Sequence, residues 1–188
     1  MAWIRACGGE NINNEKYIIK NGIIKNNTLT AVSSSASNIA KRCGHSIYTQ
    51  LHNAIIQDTN AVRLVLGRTG GSDGTYYDFR TTSYLTTPID VTDFKKIVFE
   101  FDEQGTSAVG GYNSVLYFGI STSSPSAGYS LLNYKIINTT TTKVTHGIEI
   151  DVSSISGYVY IVIMSSSPKY YSTTWNDTIW FKNIKILK

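Results

Sequence analysis

Apolar and polar side chains alternate with a period of two along much of this chain, and helical periodicity is nearly absent. Ile97, Phe99 and Phe101 share one face of a segment whose other face carries Val98, Glu100 and Asp102. Ile148, Ile150 and Val152 repeat the pattern against Glu149 and Asp151. Further β-rich runs lie at 61–66, 76–79, 114–120, 158–164 and 178–187. The run at 158–164 is apolar almost throughout, as expected of a strand covered on both faces. Residues 36–50 are the best helix candidate, but their Ser and Gly content argues against a long helix. Asp90 to Phe94 reads as one helical turn before a strand, with Asp90 as its N-cap. Many strands, frequent turn signals and no crossover helices together predict an all-β chain folded as an antiparallel β-sandwich.

The first 35 residues read differently. Asn21-Gly22 stands between the β-prone triplets Tyr17-Ile18-Ile19 and Ile23-Ile24-Lys25, the strongest short-range hairpin signal available. Residues 31–37 are small and polar, like a linker. The expected organisation is a short N-terminal β arm over residues 1–35, serving assembly or docking, joined to a jelly-roll sandwich over 36–188. An arm of this size cannot bury its own Trp3, Tyr17, Ile18 and Ile19, so it should need a partner surface.

Composition narrows the function. Apolar residues make up 41% of the chain, enough for a globular core. Charged residues are only 16%, and Ser, Thr, Asn and 13 Tyr take their place. The whole excess of +4 falls in residues 1–45, where basic side chains are scattered among Asn and Ile. A nucleic-acid binder would show a dense basic stripe with interleaved aromatics, so no nucleic-acid partner is expected. No run approaches the apolar length of a membrane span, and the N-terminus lacks the apolar core of a signal peptide. Neither membrane insertion nor secretion is expected. Cys7 and Cys43 form no framework and no zinc spacing.

Catalytic constellations are not found. The pairs Glu100/Asp102 and Glu149/Asp151 have the residue types that glycoside hydrolysis needs, but each also fits a solvated sheet face. Glu103 and Asp93 read as strand-end or turn residues. Gly67 to Gly74 is Gly-rich without the Lys-Ser/Thr of a phosphate loop. Asp73 and Asp78 are weighed as Ca²⁺ ligands and not assigned, because oxygen ligands alone are too common. His45, His52 and His146 lie near no nucleophile. The expectation is no catalytic residue, no metal and no cofactor. Loop aromatics are the better lead, because sugar rings present C–H faces that stack on Trp and Tyr. Tyr112, Tyr129, Tyr170, Tyr171 and Trp175 are the candidate glycan-binding residues, with the last three in one loop.

From Tyr84 onward the chain resembles galactose-binding-like jelly rolls of phage and prophage structural proteins from low-GC Gram-positive hosts. The residues that carry this are Ile89-Asp90-Val91-Thr92 with the strand to Phe99, then Ile148 to Ser153, Gly157 to Ile161 and Ile179 to Ile184. The opening Ala2 to Gly9 also looks like the start of minor structural proteins of such phages. The resemblance implies a homo-oligomeric virion protein of a tail, baseplate or head appendage, made in the host cytoplasm. Its arm would dock on other virion proteins, and its outward jelly roll is the candidate for binding a host cell-surface glycan. The alternative is a stand-alone, non-catalytic carbohydrate-binding module.

Overall fold

The alternating segments form strands, and the strands form two antiparallel sheets with their apolar faces turned together. The computed structural model describes residues 14–24, 27–31, 49–58, 60–69, 79–106, 114–125, 130–167 and 175–188. The first sheet runs β11 (Val144–Asp151), β8 (Lys96–Gly105), β13 (Trp175–Leu187), β1 (Glu15–Lys20) and β2 (Ile23–Ile24). β5 (Ala61–Thr69) also pairs with β13 and carries β4 (Thr49–Asp58) on its other edge. The second sheet runs β10 (Leu132–Asn138), β9 (Val115–Ser121), β12 (Tyr158–Ser167), β6 (Phe79–Leu85) and β3 (Leu29–Ala31), and β7 (Ile89–Asp90) pairs with β12.

Phe118 of the second sheet joins the two layers. Its ring stacks on Phe101 at 4.5 Å between centroids and meets Phe99 at 5.6 Å and Phe181 at 6.3 Å. Around these rings Ile97, Ile150, Ile161, Ile163 and Ile186 are fully buried, as their alternation requires. β12 is covered on both sides. Val159, Ile161 and Ile163 enter the core, while Val162 is buried on the other face under Tyr84, Tyr160 and Leu131.

The Asn21-Gly22 hairpin forms as its sequence predicts. Ile19 pairs with Ile24 and Lys20 with Ile23, and both turn residues have positive φ, 50° and 72°. The separate arm is not what the described residues show. β1 is hydrogen-bonded to β13 in the first sheet, β3 to β6 in the second, and Ile19 is fully buried. The partner surface that the apolar hairpin requires is the sandwich itself. Two local expectations also change. Residues 49–50, at the end of the helix candidate, open β4, and the rest of that stretch lies outside the described residues. Asp90 caps no helix: its Oδ1 accepts from Thr92 N and Thr92 Oγ1, closing a turn at the end of β7.

Candidate functional site

β13 is thirteen residues long, longer than any one strand beside it. Along one edge, β5 pairs with residues 175–181, and β1 then takes over at Ile184. The two neighbours meet end to end, and β13 absorbs the change with a bulge between Phe181 and Asn183. The hairpin turn closes against this bulge. Gly22 N donates to Lys182 O at 2.8 Å, and Asn21 N to Asn183 Oδ1 at 2.9 Å. Gly22 must be glycine, since a Cβ there would lie 2.1 Å from the Asn60 carbonyl carbon.

The bulge sets Phe181 and Ile184 facing inward while Trp180, Lys182 and Asn183 face out. The outcome is an open cleft of about 690 Å³ on the outer face of the first sheet. Its floor is Trp180, its flanks Asp102, Lys143, Lys182 and Asn183, and its rim the turns at Asn21 and Asn60. Trp180 lies in register between Asp102 of β8 and Arg63 of β5.

The electrostatics of this face are organised by two carboxylates. Asp102 Oδ1 accepts from Lys182 Nζ at 2.6 Å and from Thr145 Oγ1 at 2.6 Å, and Lys143 Nζ lies 3.4 Å from Oδ2. Partial burial pushes the Asp102 carboxyl up, but the Lys182 and Thr145 donors and the lysine charges outweigh it and hold it below the usual range. Glu100 accepts from Asn183 Nδ2 at 2.6 Å and pairs with Lys185 at 3.1 Å, and these donors lower its carboxyl too. Lys143 also sits over the Trp180 ring, 4.1 Å from its centroid.

The inner face of the same sheet holds a second acidic pair. Asp177 and Glu103 are fully buried at one end of the sandwich, on the face that also carries Phe181 and Phe101. Asp177 Oδ1 accepts from Ser114 Oγ at 2.5 Å, and its Oδ2 accepts from Ser165 Oγ. Glu103 Oε1 accepts from Thr140 N at 3.1 Å and Thr140 Oγ1 at 3.0 Å, whereas its Oε2 has no hydrogen-bond partner. His146 stacks on Phe101 with its Nε2 3.6 Å from Glu103 Oε1. Burial, with the nearby Glu103 charge, pushes the Asp177 carboxyl up to about 6 despite its hydroxyl donors. Closed between the sheets, neither acid is within reach of a polymer outside. Among the described residues no group of three His, Cys, Asp or Glu side chains is placed to hold a metal ion.

Of the sequence-predicted glycan residues, only Trp175 falls among the described residues. Tyr112, Tyr129, Tyr170 and Tyr171 lie outside the described residues, as do Asp73, Asp78, His45, Cys7 and Cys43. Trp175 opens β13, its backbone paired with Arg68. Trp180 is not among the sequence-predicted residues, since 178–187 reads as a strand and the candidates are loop aromatics. The available signal was parity: Thr178, Trp180 and Lys182 alternate with Ile179 and Phe181, so a large aromatic had to face outward.

No protein-family model matches this chain, and no curated protein matches it. Solved structures do. A structure described for the promiscuous specificity of carbohydrate-binding modules of the β-sandwich superfamily aligns with a TM-score of 0.50 at 12% identity, covering 93% of this chain and 62% of that one. A family 4 carbohydrate-binding module aligns at 0.47 and 11%, covering 90% and 99%. The family 11 module of the cellulosomal cellulase Lic26A-Cel5E of Clostridium thermocellum aligns at 0.45 and 14%, covering 92% and 94%. The likeness is one of fold. The chain is an antiparallel β-sandwich of the jelly-roll class, the architecture expected from its sequence.

Proposed function

We propose that this protein is a non-catalytic carbohydrate-binding module whose glycan site is the cleft around Trp180. The observation that carries the reading is an indole on an outer sheet face, ringed by Asp102, Asn183, Asn21 and Lys182. A sugar ring needs an apolar plate for its C–H face and donors and acceptors at the edge for its hydroxyls, and this cleft offers both. The fold shared with structures described as carbohydrate-binding modules supports the same reading. It takes the place of the virion role as the leading function, because the fold is shared with a structure described for carbohydrate-binding modules.

The test is direct. Trp180→Ala should lower affinity for a bound polysaccharide by about 1–3 kcal/mol, seen by calorimetry or affinity electrophoresis across a glycan panel. The melting temperature should move little, since the side chain is outside the core. A glycan bound equally by wild type and Trp180→Ala would place the site elsewhere.

A further inference from the structure

The charges of the cleft carry the reading further. Of its charged lining residues, Lys143 and Lys182 are positive and Asp102 alone is negative; Asn21, Asn60, Asn183 and Trp180 are neutral. Asp102 is shared between both lysines, so it compensates only one of them. Glu100 does not redress the balance, because it is engaged by Asn183 and Lys185. Both lysine side chains remain exposed, 49% for Lys143 and 44% for Lys182, so each can be approached from outside.

Lys143 has a second part to play. It is the more loosely held lysine, 3.4 Å from Asp102 against 2.6 Å for Lys182, and its ammonium lies over the indole face. A sugar that stacks on Trp180 has to displace it. A neutral sugar would offer the displaced ammonium only hydroxyls. A sugar with a carboxylate would offer it an anion beside the ring it has just left.

We infer that the cleft takes an acidic polysaccharide, a uronic-acid polymer, with one sugar ring on Trp180 and its carboxylate held by Lys143 and Lys182. This rests on the glycan reading of the cleft and names the class of glycan. The experiment compares polygalacturonate, alginate and hyaluronate with the methyl ester of polygalacturonate, a panel of neutral glucans and galactans, and single-stranded DNA. Binding is followed by calorimetry and by the change in tryptophan fluorescence, in wild type, Trp180→Ala, Lys143→Ala and Lys182→Gln.

At least one of the three acidic polymers should bind about tenfold or more tightly than the neutral panel, and the ester should bind more weakly than its parent acid. Each lysine substitution should weaken acidic binding severalfold, and added salt should do the same. Neutral glycans bound as tightly as the acids, with Trp180→Ala abolishing both, would overturn the acidic class and leave the cleft a glycan site. DNA bound as tightly as the uronates would overturn it in favour of an unselective anion patch. No binding of any polysaccharide, acidic or neutral, would remove the glycan reading and this inference together.

Discussion

The two faces of the first sheet each carry a pair of carboxylates, and Asp177 on the inner face behaves in the opposite way to the outer pair. On the outer face Asp102 and Glu100 are met by Lys143, Lys182 and Lys185, and both carboxyls are held low. On the inner face Asp177 is met by serine hydroxyls and a like charge, and its carboxyl is raised to about 6. One residue's shift along a strand changes the face, and the face decides whether a carboxylate meets lysines, as Asp102 and Glu100 do, or serine hydroxyls, as Asp177 does. Outside, charge is affordable and available to a ligand. Inside, charge is a cost that the structure carries with neutral donors.

This contrast can be broken by substitution. The largest effect belongs to the apolar part of the inner face. Ile150→Ala should destabilise the protein by about 2–5 kcal/mol through lost burial and a residual cavity, whereas its neighbour Glu149→Ala should cost less than about 0.5 kcal/mol. Equal shifts of the two urea midpoints would mean that the faces are not as distinct as described.

Next is Asp177→Asn. The folded carboxyl titrates near 6, above its ordinary 3.8. Asp177 is therefore tolerated well below its ordinary 3.8, where it is protonated folded or unfolded, and its penalty grows as pH rises from there and is complete above about 6. The Asn variant's advantage should be smallest near pH 3 and grow by about 3 kcal/mol by pH 8, read from paired denaturant titrations. A gain that is flat with pH would show that Asp177 is not the group being relieved.

The smallest effect is expected outside. Asp102 contributes above the ordinary carboxylate range, and that contribution is lost as pH falls through its lowered value. Asp102→Asn should cost about 1 kcal/mol or less at neutral pH, because both lysines can turn to water. The cost should shrink further in high salt, which would leave the Asp177 effect nearly untouched. A salt-insensitive loss at Asp102 comparable to that at Ile150 would erase the distinction between the two faces.

Much of the sandwich was legible in the sequence. Alternation at 97–101 and 148–152 assigned inward and outward residues correctly, and Asn21-Gly22 located the hairpin. The buried acids were missed for a local reason. Glu103 continues the inward parity of Ile97, Phe99 and Phe101, but its charge made it read as a strand end. Asp177 continues the parity of Ile179 and Phe181 one residue before the run at 178–187 begins. β10 was not among the expected strands although Leu132, Tyr134 and Ile136 alternate with Asn133 and Lys135, and on this strand those large side chains are exposed. The cleft could not be foreseen at all. It arises from β1 and β5 ending against the same stretch of β13, a tertiary coincidence that no local pattern encodes.

The length and position of β13 also govern when this protein can become itself. β8, β5 and β1 all lie against β13, and Glu15 sits opposite Leu187. As the ribosome extends the chain, the early strands emerge without the partner that organises them. They must wait, with open hydrogen-bonding edges, until β13 appears. The first sheet therefore cannot close before β13 has been made, and refolding should be slow, as for other proteins dominated by distant pairings. In that interval the newborn chain is most exposed to sticking to its neighbours, and the cell's holding chaperones would have most to do.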